Sequence, residues 1–187
     1  QASINIRLKE GVKGIFNLIA TLGGGYANEA LWNNAAIATY FKRNKQLLAT
    51  YKGNNGGEDL SQELYSFDED YSRTSTISSI TMPSVPGIDK RLYYFNRSHS
   101  ITFNNAYRVG KFGELGVNAA YFHDKDKRSH WSNISNILPD GSQNVVEEVM
   151  TGTVKQEKAY GDISYLDNRD QQYMKEQVKF DWDRTHA

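Results

Sequence analysis

Phe16-Asn17-Leu18-Ile19-Ala20-Thr21-Leu22-Gly23-Gly24-Gly25-Tyr26 reads with a period of two. Phe16, Leu18, Ala20, Leu22, Gly24 and Tyr26 fall on one face. Asn17, Thr21, Gly23 and Gly25 fall on the other, with Ile19 the exception. Successive side chains of a strand point to opposite faces, so this pattern marks a strand with one apolar side. At roughly 3.3 Å per residue and about 40° of tilt, Phe16 to Tyr26 spans on the order of 25 Å along a membrane normal. That is the height of the apolar band of an outer-membrane barrel, with an aromatic side chain at each edge.

The same alternation recurs along the chain. A strand at about 31–42 puts Leu31, Ala35, Ile37, Thr39 and Phe41 together, with Asn33 as a break. The turn Lys42-Arg43-Asn44-Lys45 leads into Leu47, Ala49 and Tyr51, which alternate with Gln46, Leu48 and Thr50. Residues 53–90 open with Gly53-Asn54-Asn55-Gly56-Gly57, contain Pro83 and Pro86, and read as a long polar loop. Alternation resumes near Leu92. Ile101, Phe103, Tyr107 and Val109 face one way; Ser100, Thr102, Asn104 and Arg108 face the other.

Gly110-Lys111-Phe112-Gly113 turns the chain, and Leu115, Val117, Ala119 and Tyr121 then oppose Gly116, Asn118 and Ala120. A second polar loop is expected at about 124–144, around Pro139-Asp140-Gly141. A strand from Val145 to Leu166 follows, with Ala159, Gly161, Ile163 and Tyr165 outward. After the turn 167–171 comes a last strand, with Met174, Val178, Phe180 and Trp182 opposing Lys175, Gln177, Lys179 and Asp181. This gives seven strands, plus an eighth at Ser3–Lys9. From the 42–46 turn onward, short and long connections alternate, the pattern of short periplasmic turns and long external loops. The fold expected is therefore an all-β, antiparallel transmembrane β-barrel segment, about seven to eight strands of a larger barrel. Leu18, Ile37, Phe103, Val117 and Phe180 should touch lipid, and Asn17, Asn104, Asn118 and Lys179 should face the interior.

Composition fits this reading. The 187 residues include 12 Tyr, 8 Phe and 3 Trp but only 3 Pro, a residue that disrupts strand ladders. Mean hydropathy is −0.66, and no apolar run approaches the roughly 18 residues a spanning helix needs. The balance of 22 basic and 22 acidic residues gives no reason to expect a nucleic-acid partner. The absence of Cys removes disulfides, thiolate catalysis and Cys-type zinc sites. The start, Gln1-Ala2-Ser3-Ile4-Asn5, lacks a secretion signal, and Asp183-Arg184-Thr185-His186-Ala187 resembles an interruption more than a terminus.

Ala2-Ser3-Ile4-Asn5-Ile6-Arg7-Leu8-Lys9, followed by a Gly-containing link and a strand, resembles the junction where the plug of a TonB-dependent outer-membrane receptor passes into its first barrel strand. Tyr40-Phe41-Lys42-Arg43-Asn44-Lys45-Gln46, Thr50-Tyr51-Lys52-Gly53-Asn54-Asn55 and Phe95-Asn96-Arg97-Ser98-His99 resemble the Bacteroidetes branch of these receptors. The resemblance implies that 1–10 is the end of the plug and that 11–187 is the incomplete N-terminal part of a barrel of about 22 strands. It implies residence in the bacterial outer membrane and nutrient import. The partners implied are outer-membrane lipid, the rest of the barrel and its plug, TonB acting through a region absent here, and a surface lipoprotein in some members. It carries over no functional residue. The alternative is a small self-contained eight-stranded outer-membrane barrel with a structural or adhesive role, its interior filled by side chains. A soluble β-sandwich binding module is a third reading, one that needs no aromatic edges.

Nothing in the sequence specifies an enzyme or a cofactor. Asp68-Glu69-Asp70 and Asp124-Lys125-Asp126 lack the loop spacing of a calcium site and read as solvated loop. His99, His123, His130 and His186 are scattered without metal-ligand spacing. Ser98-His99 and Ser129-His130 put their side chains on opposite strand faces, where they cannot share a proton. Gly110-Lys111-Phe112-Gly113 is a hairpin turn without a phosphate-binding loop, and the sequons at Asn96 and Asn133 carry no meaning in such a setting. No catalytic or metal residue is assigned, and the substrate-binding residues are unknown.

Overall fold

A computed structural model describes residues 14–61, 87–89, 93–169 and 172–187. Seven strands follow in order: β1 Ile15–Ala27, β2 Glu29–Lys42, β3 Lys45–Asn54, β4 Ser98–Val109, β5 Gly113–Ile137, β6 Gln143–Arg169 and β7 Gln172–His186. They form one antiparallel sheet in sequence order, each strand paired to the next. No α-helix occurs among the described residues. The sheet is open. β1 and β7 are not paired with each other, and each presents an unpaired edge. The expected eighth strand at Ser3–Lys9 lies outside the described residues, as does Leu92.

Antiparallel meandering puts alternate connections on opposite ends of the sheet. The β2–β3, β4–β5 and β6–β7 connections share one end. Asn28, the long 55–97 connection and the 138–142 tip share the other, here the loop end. The chain therefore leaves β3 and enters β4 at the end opposite the short turns, as expected; residues 62–86 and 90–92 of that connection lie outside the described residues.

Register turns the alternation into two continuous faces. Asn17, Thr39, Leu48, Asn104, Asn118, Asp162 and Lys179 form one row across all seven strands. On the opposite face, Leu18, Ala38, Ala49, Phe103, Ala119, Gly161 and Phe180 form the neighbouring row. The four polar residues expected to look inward thus lie abreast, one position from the apolar row that contains Leu18, Phe103 and Phe180.

Ile37 is a correction. It pairs with Ile19 and Thr50, which places it on the polar face with Leu31, Ala35, Thr39 and Phe41. The β1–β2 connection turns tightly about Asn28, at φ 59°, with Ala27 opposite Glu29. That geometry aligns even-numbered residues with even-numbered ones, so Trp32, Asn34, Ala36, Ala38 and Tyr40 share the face of Leu18. Both faces of β2 carry apolar side chains, so its alternation alone did not fix the register.

The expected loop at 124–144 is a second correction. β5 and β6 pair continuously from Gly113↔Asp167 to Ile137↔Gln143, and only 138–142 forms the tip. The polar residues of this segment still allow a ladder, and chain-breaking chemistry appears only at Pro139-Asp140-Gly141, where Gly141 has φ 81°. β5, at 25 residues, runs about 80 Å, far more than a membrane's apolar thickness. Beyond the reach of β4 and β7, this hairpin projects as a two-stranded ribbon.

Burial is inverted relative to a soluble sheet. On the polar face Ser98 is 0%, Ser100 2%, Asp126 3% and Asp162 3% exposed. On the other face Val178 is 71% and Leu18 and Phe180 are each 61% exposed. Exposed apolar residues also occur on the polar side, Ile15 and Ile19 on β1, Ile37 on β2 and Leu48 on β3 among them.

Candidate functional site

The polar face is most enclosed at the loop end, where 55–61 and 93–97 fold against β3, β4 and β5. Asn54, the last residue of β3, is fully buried. Its Oδ1 accepts from the Gly56 amide at 3.2 Å, the Glu58 amide at 3.1 Å and Asn96 Nδ2 at 3.1 Å, while its Nδ2 donates to the Glu58 carbonyl at 3.0 Å. Asn96 accepts from the Gly57 amide at 2.9 Å and donates to Ser98 Oγ at 2.5 Å. Ser98 donates to Asp124 Oδ1 at 2.7 Å, and the Tyr94 hydroxyl donates to Asp124 Oδ2 at 2.5 Å. Burial, and then the charge of Asp124, push the Tyr94 hydroxyl well above its ordinary range, so it stays a donor.

Asn55 works beside this network. It accepts from the Trp32 amide at 2.6 Å and donates to the Ala30 carbonyl at 2.9 Å, so its side chain carries the ladder of β2 one step past β3. An Asn or Asp side chain can mimic backbone partners in this way. These residues form an anchor for the loops: both Asp124 oxygens and the amides of Asn54 and Asn96 are occupied within the chain.

Interaction capacity remains further along the same face. Ser100 Oγ and Asn104 Nδ2 are buried without a hydrogen-bond partner. Between them, Thr102 meets Thr50, hydroxyl to hydroxyl, at 2.6 Å. Next in the Asn104 row, Asn118 Nδ2 donates to Asp162 Oδ1 at 3.0 Å and Gln177 Nε2 to Asp162 Oδ2 at 2.6 Å. Hydroxyls and amides of this kind suit a hydrated polar solute.

The outer face at the loop end holds an aromatic cluster. His99 stacks on Trp32 with centroids 5.2 Å apart, and its Nδ1 lies 3.0 Å from the Tyr51 hydroxyl. The register sets His99 opposite His123, with rings 6.4 Å apart, and His123 Nδ1 is 3.4 Å from Glu157. The β4–β5 hairpin register about the 110–112 turn brings together histidines that lie 24 positions apart in the sequence. No group of three metal-binding side chains forms among the described residues. A Cβ at Gly53 would meet Tyr51 Oη at 2.6 Å, Trp32 Cζ3 at 2.9 Å and His99 Nδ1 at 3.1 Å. All three are side-chain ends that can swing away. Gly53→Ala is therefore expected to cost no more than about 1–2 kcal/mol of stability while disrupting the stack. Tryptophan emission should shift in this variant and stay unchanged in Gly56→Ala, where a Cβ meets nothing; an unshifted Gly53→Ala spectrum would contradict the packing.

The expected site assignments stand as follows. Asp124 and Asp126 lie in a paired strand, with Asp124 in the anchor and Asp126 bound by Arg128 Nε at 2.6 Å. Asp68-Glu69-Asp70 lies outside the described residues. Ser98 and His99 occupy opposite faces, as expected. No family model matches the chain, and no curated protein or solved structure matches it.

Proposed function

We propose that this chain forms part of the wall of a bacterial outer-membrane β-barrel, and that the barrel is a TonB-dependent receptor importing a nutrient. The observation that carries the membrane reading is the reversed burial: polar side chains enclosed on one face, large apolar ones exposed on the other. A soluble sheet exposing Leu18, Val178 and Phe180 together would leave a wide apolar surface in water. A lipid-facing wall would not.

Aromatic placement supports the same reading. Tyr51, Tyr121 and Trp182 lie in one outward row near the loop end. Tyr107 and Tyr165 lie in one outward row near the turn end. Six residues of β4 separate the two rows, about 20 Å along the strand. Tyr and Trp favour the two membrane interfaces and form such girdles in barrels. The unpaired edges of β1 and β7 are where further strands of a closed wall would add. Import and the coupling to TonB rest on the family resemblance of the strand segments; the hydroxyl- and amide-lined inner face is compatible with a polar cargo.

Short epitopes inserted at Gly141 and Gly56, and separately at Asn44 and Lys111, test this reading in intact cells that express the protein. The first pair should be stained from outside and the second only after permeabilisation. The opposite pattern would invert the topology. Recovery of the protein in the soluble fraction would overturn the membrane reading.

A further inference from the structure

Just outside the loop-end aromatic row lies a row of basic side chains, with Lys125 and Lys155 at its centre. Arg97 pairs with Lys125 through backbone bonds of 2.9 and 3.2 Å, Lys125 is opposite Lys155, and Lys155 is opposite His186. These residues occupy the outward face, because Lys125 alternates with the inward, buried Asp124 and Asp126. Lys127 follows two positions on.

Like charges directly opposite in a sheet destabilise it, and among the described residues no carboxylate compensates the Lys125–Lys155 pair. Arg97 reaches Glu29 at 3.3 Å. No carboxylate among the described residues pairs with Lys125, Lys127 or Lys155. The nearest candidate in register, Glu157, is held by His123 at 3.4 Å and Tyr121 at 3.4 Å. Elsewhere on the sheet Lys158 does find a carboxylate, Asp183, at 3.5 Å.

Strand spacing sets the row's dimensions. Arg97, Lys125, Lys155 and His186 stand on four adjacent chains, about 4.8 Å apart, and so span about 14 Å. The row lies four residues, about 13 Å along the strand, from Tyr121 and Trp182. On the membrane reading, which this inference requires, that is headgroup height, on the side of the long loops.

We propose that this row binds phosphate-bearing lipid headgroups of the leaflet on the loop side, with Lys125 and Lys155 supplying the charge. The lipid phosphate replaces the missing carboxylate and offsets the Lys–Lys repulsion. The continuity of the row with the aromatic girdle and apolar band favours a lipid over a soluble anion: a molecule seated there keeps its chains against the wall.

The test reconstitutes the full chain in phosphatidylcholine vesicles and measures quenching of its tryptophans by brominated phosphatidic acid against brominated phosphatidylcholine. The wild-type protein should prefer the phosphate monoester lipid by on the order of tenfold or more, and Lys125→Gln and Lys155→Gln should each lower that preference by about fivefold. Lys111→Gln, at the opposite end of the sheet, should leave it unchanged. Excess inorganic phosphate should not remove the preference; if it does, the row serves a soluble anion and the lipid assignment falls. Insertion into phosphatidylcholine without any lipid preference would overturn the headgroup site and leave the membrane wall standing. Failure to insert into any vesicle would overturn both.

Discussion

Phe103→Arg and Phe180→Arg are each expected to weaken folding into lipid vesicles by about 2–4 kcal/mol, the cost of a cation at a lipid-facing midplane position. Both residues lie in the central apolar row with Leu18. Asn118→Arg should be much milder. Its position faces the polar side, where Asp162, now bonded to Asn118 at 3.0 Å, could pair with the new charge. The sharper comparison lies on β2. Ala38→Arg should be more damaging than Ile37→Arg, although Ile is the more hydrophobic residue, because Ala38 is in the row of Leu18 and Ile37 is not. Urea titration of vesicle-folded protein gives the ranking. If Ile37→Arg is the worse variant, the register around Asn28 is wrong by one residue, which would exchange the faces of β1 relative to β2.

Loss of the Asn54 side chain is the second large effect. Asn54→Ala removes one acceptor and one donor that together make four hydrogen bonds, in a fully buried position. Each buried group left without a partner costs about 1–3 kcal/mol. A total of roughly 3–5 kcal/mol against closure of the loop follows, because some amides can relax toward water. A shift of that size raises the open population by at least about a hundredfold. Protease cleavage within 55–97 should accelerate accordingly, while the strand content seen by circular dichroism stays the same. Asn54→Asp keeps the acceptor but turns the donor into a second acceptor facing the Glu58 carbonyl, so it should fall between. Unchanged proteolysis of Asn54→Ala would show that something other than this network fastens the loop.

The sequence by itself determined the seven strands seen among the described residues and, from the 42–46 turn onward, the end at which each connection lies. Period-two alternation is a local property of consecutive side chains, and the runs around Leu18, Phe103, Val117 and Phe180 display it without help from distant residues. It also determined that Asn17, Asn104, Asn118 and Lys179 share a face, since each sits one step from a clear apolar set. Tertiary structure decided the rest. The side of Ile37 depended on how the chain turns at Asn28, because the two faces of β2 are nearly equal in hydropathy. The length of β5 and β6 depended on pairing, because polar residues outside an apolar layer ladder as readily as they loop. The Asn54–Asn96–Ser98–Asp124 anchor, the His99–His123 contact and the Lys125–Lys155 row each join residues about 24 to 42 positions apart. Only the register of the strands, fixed jointly by every turn and every face, brings such residues within reach of one another.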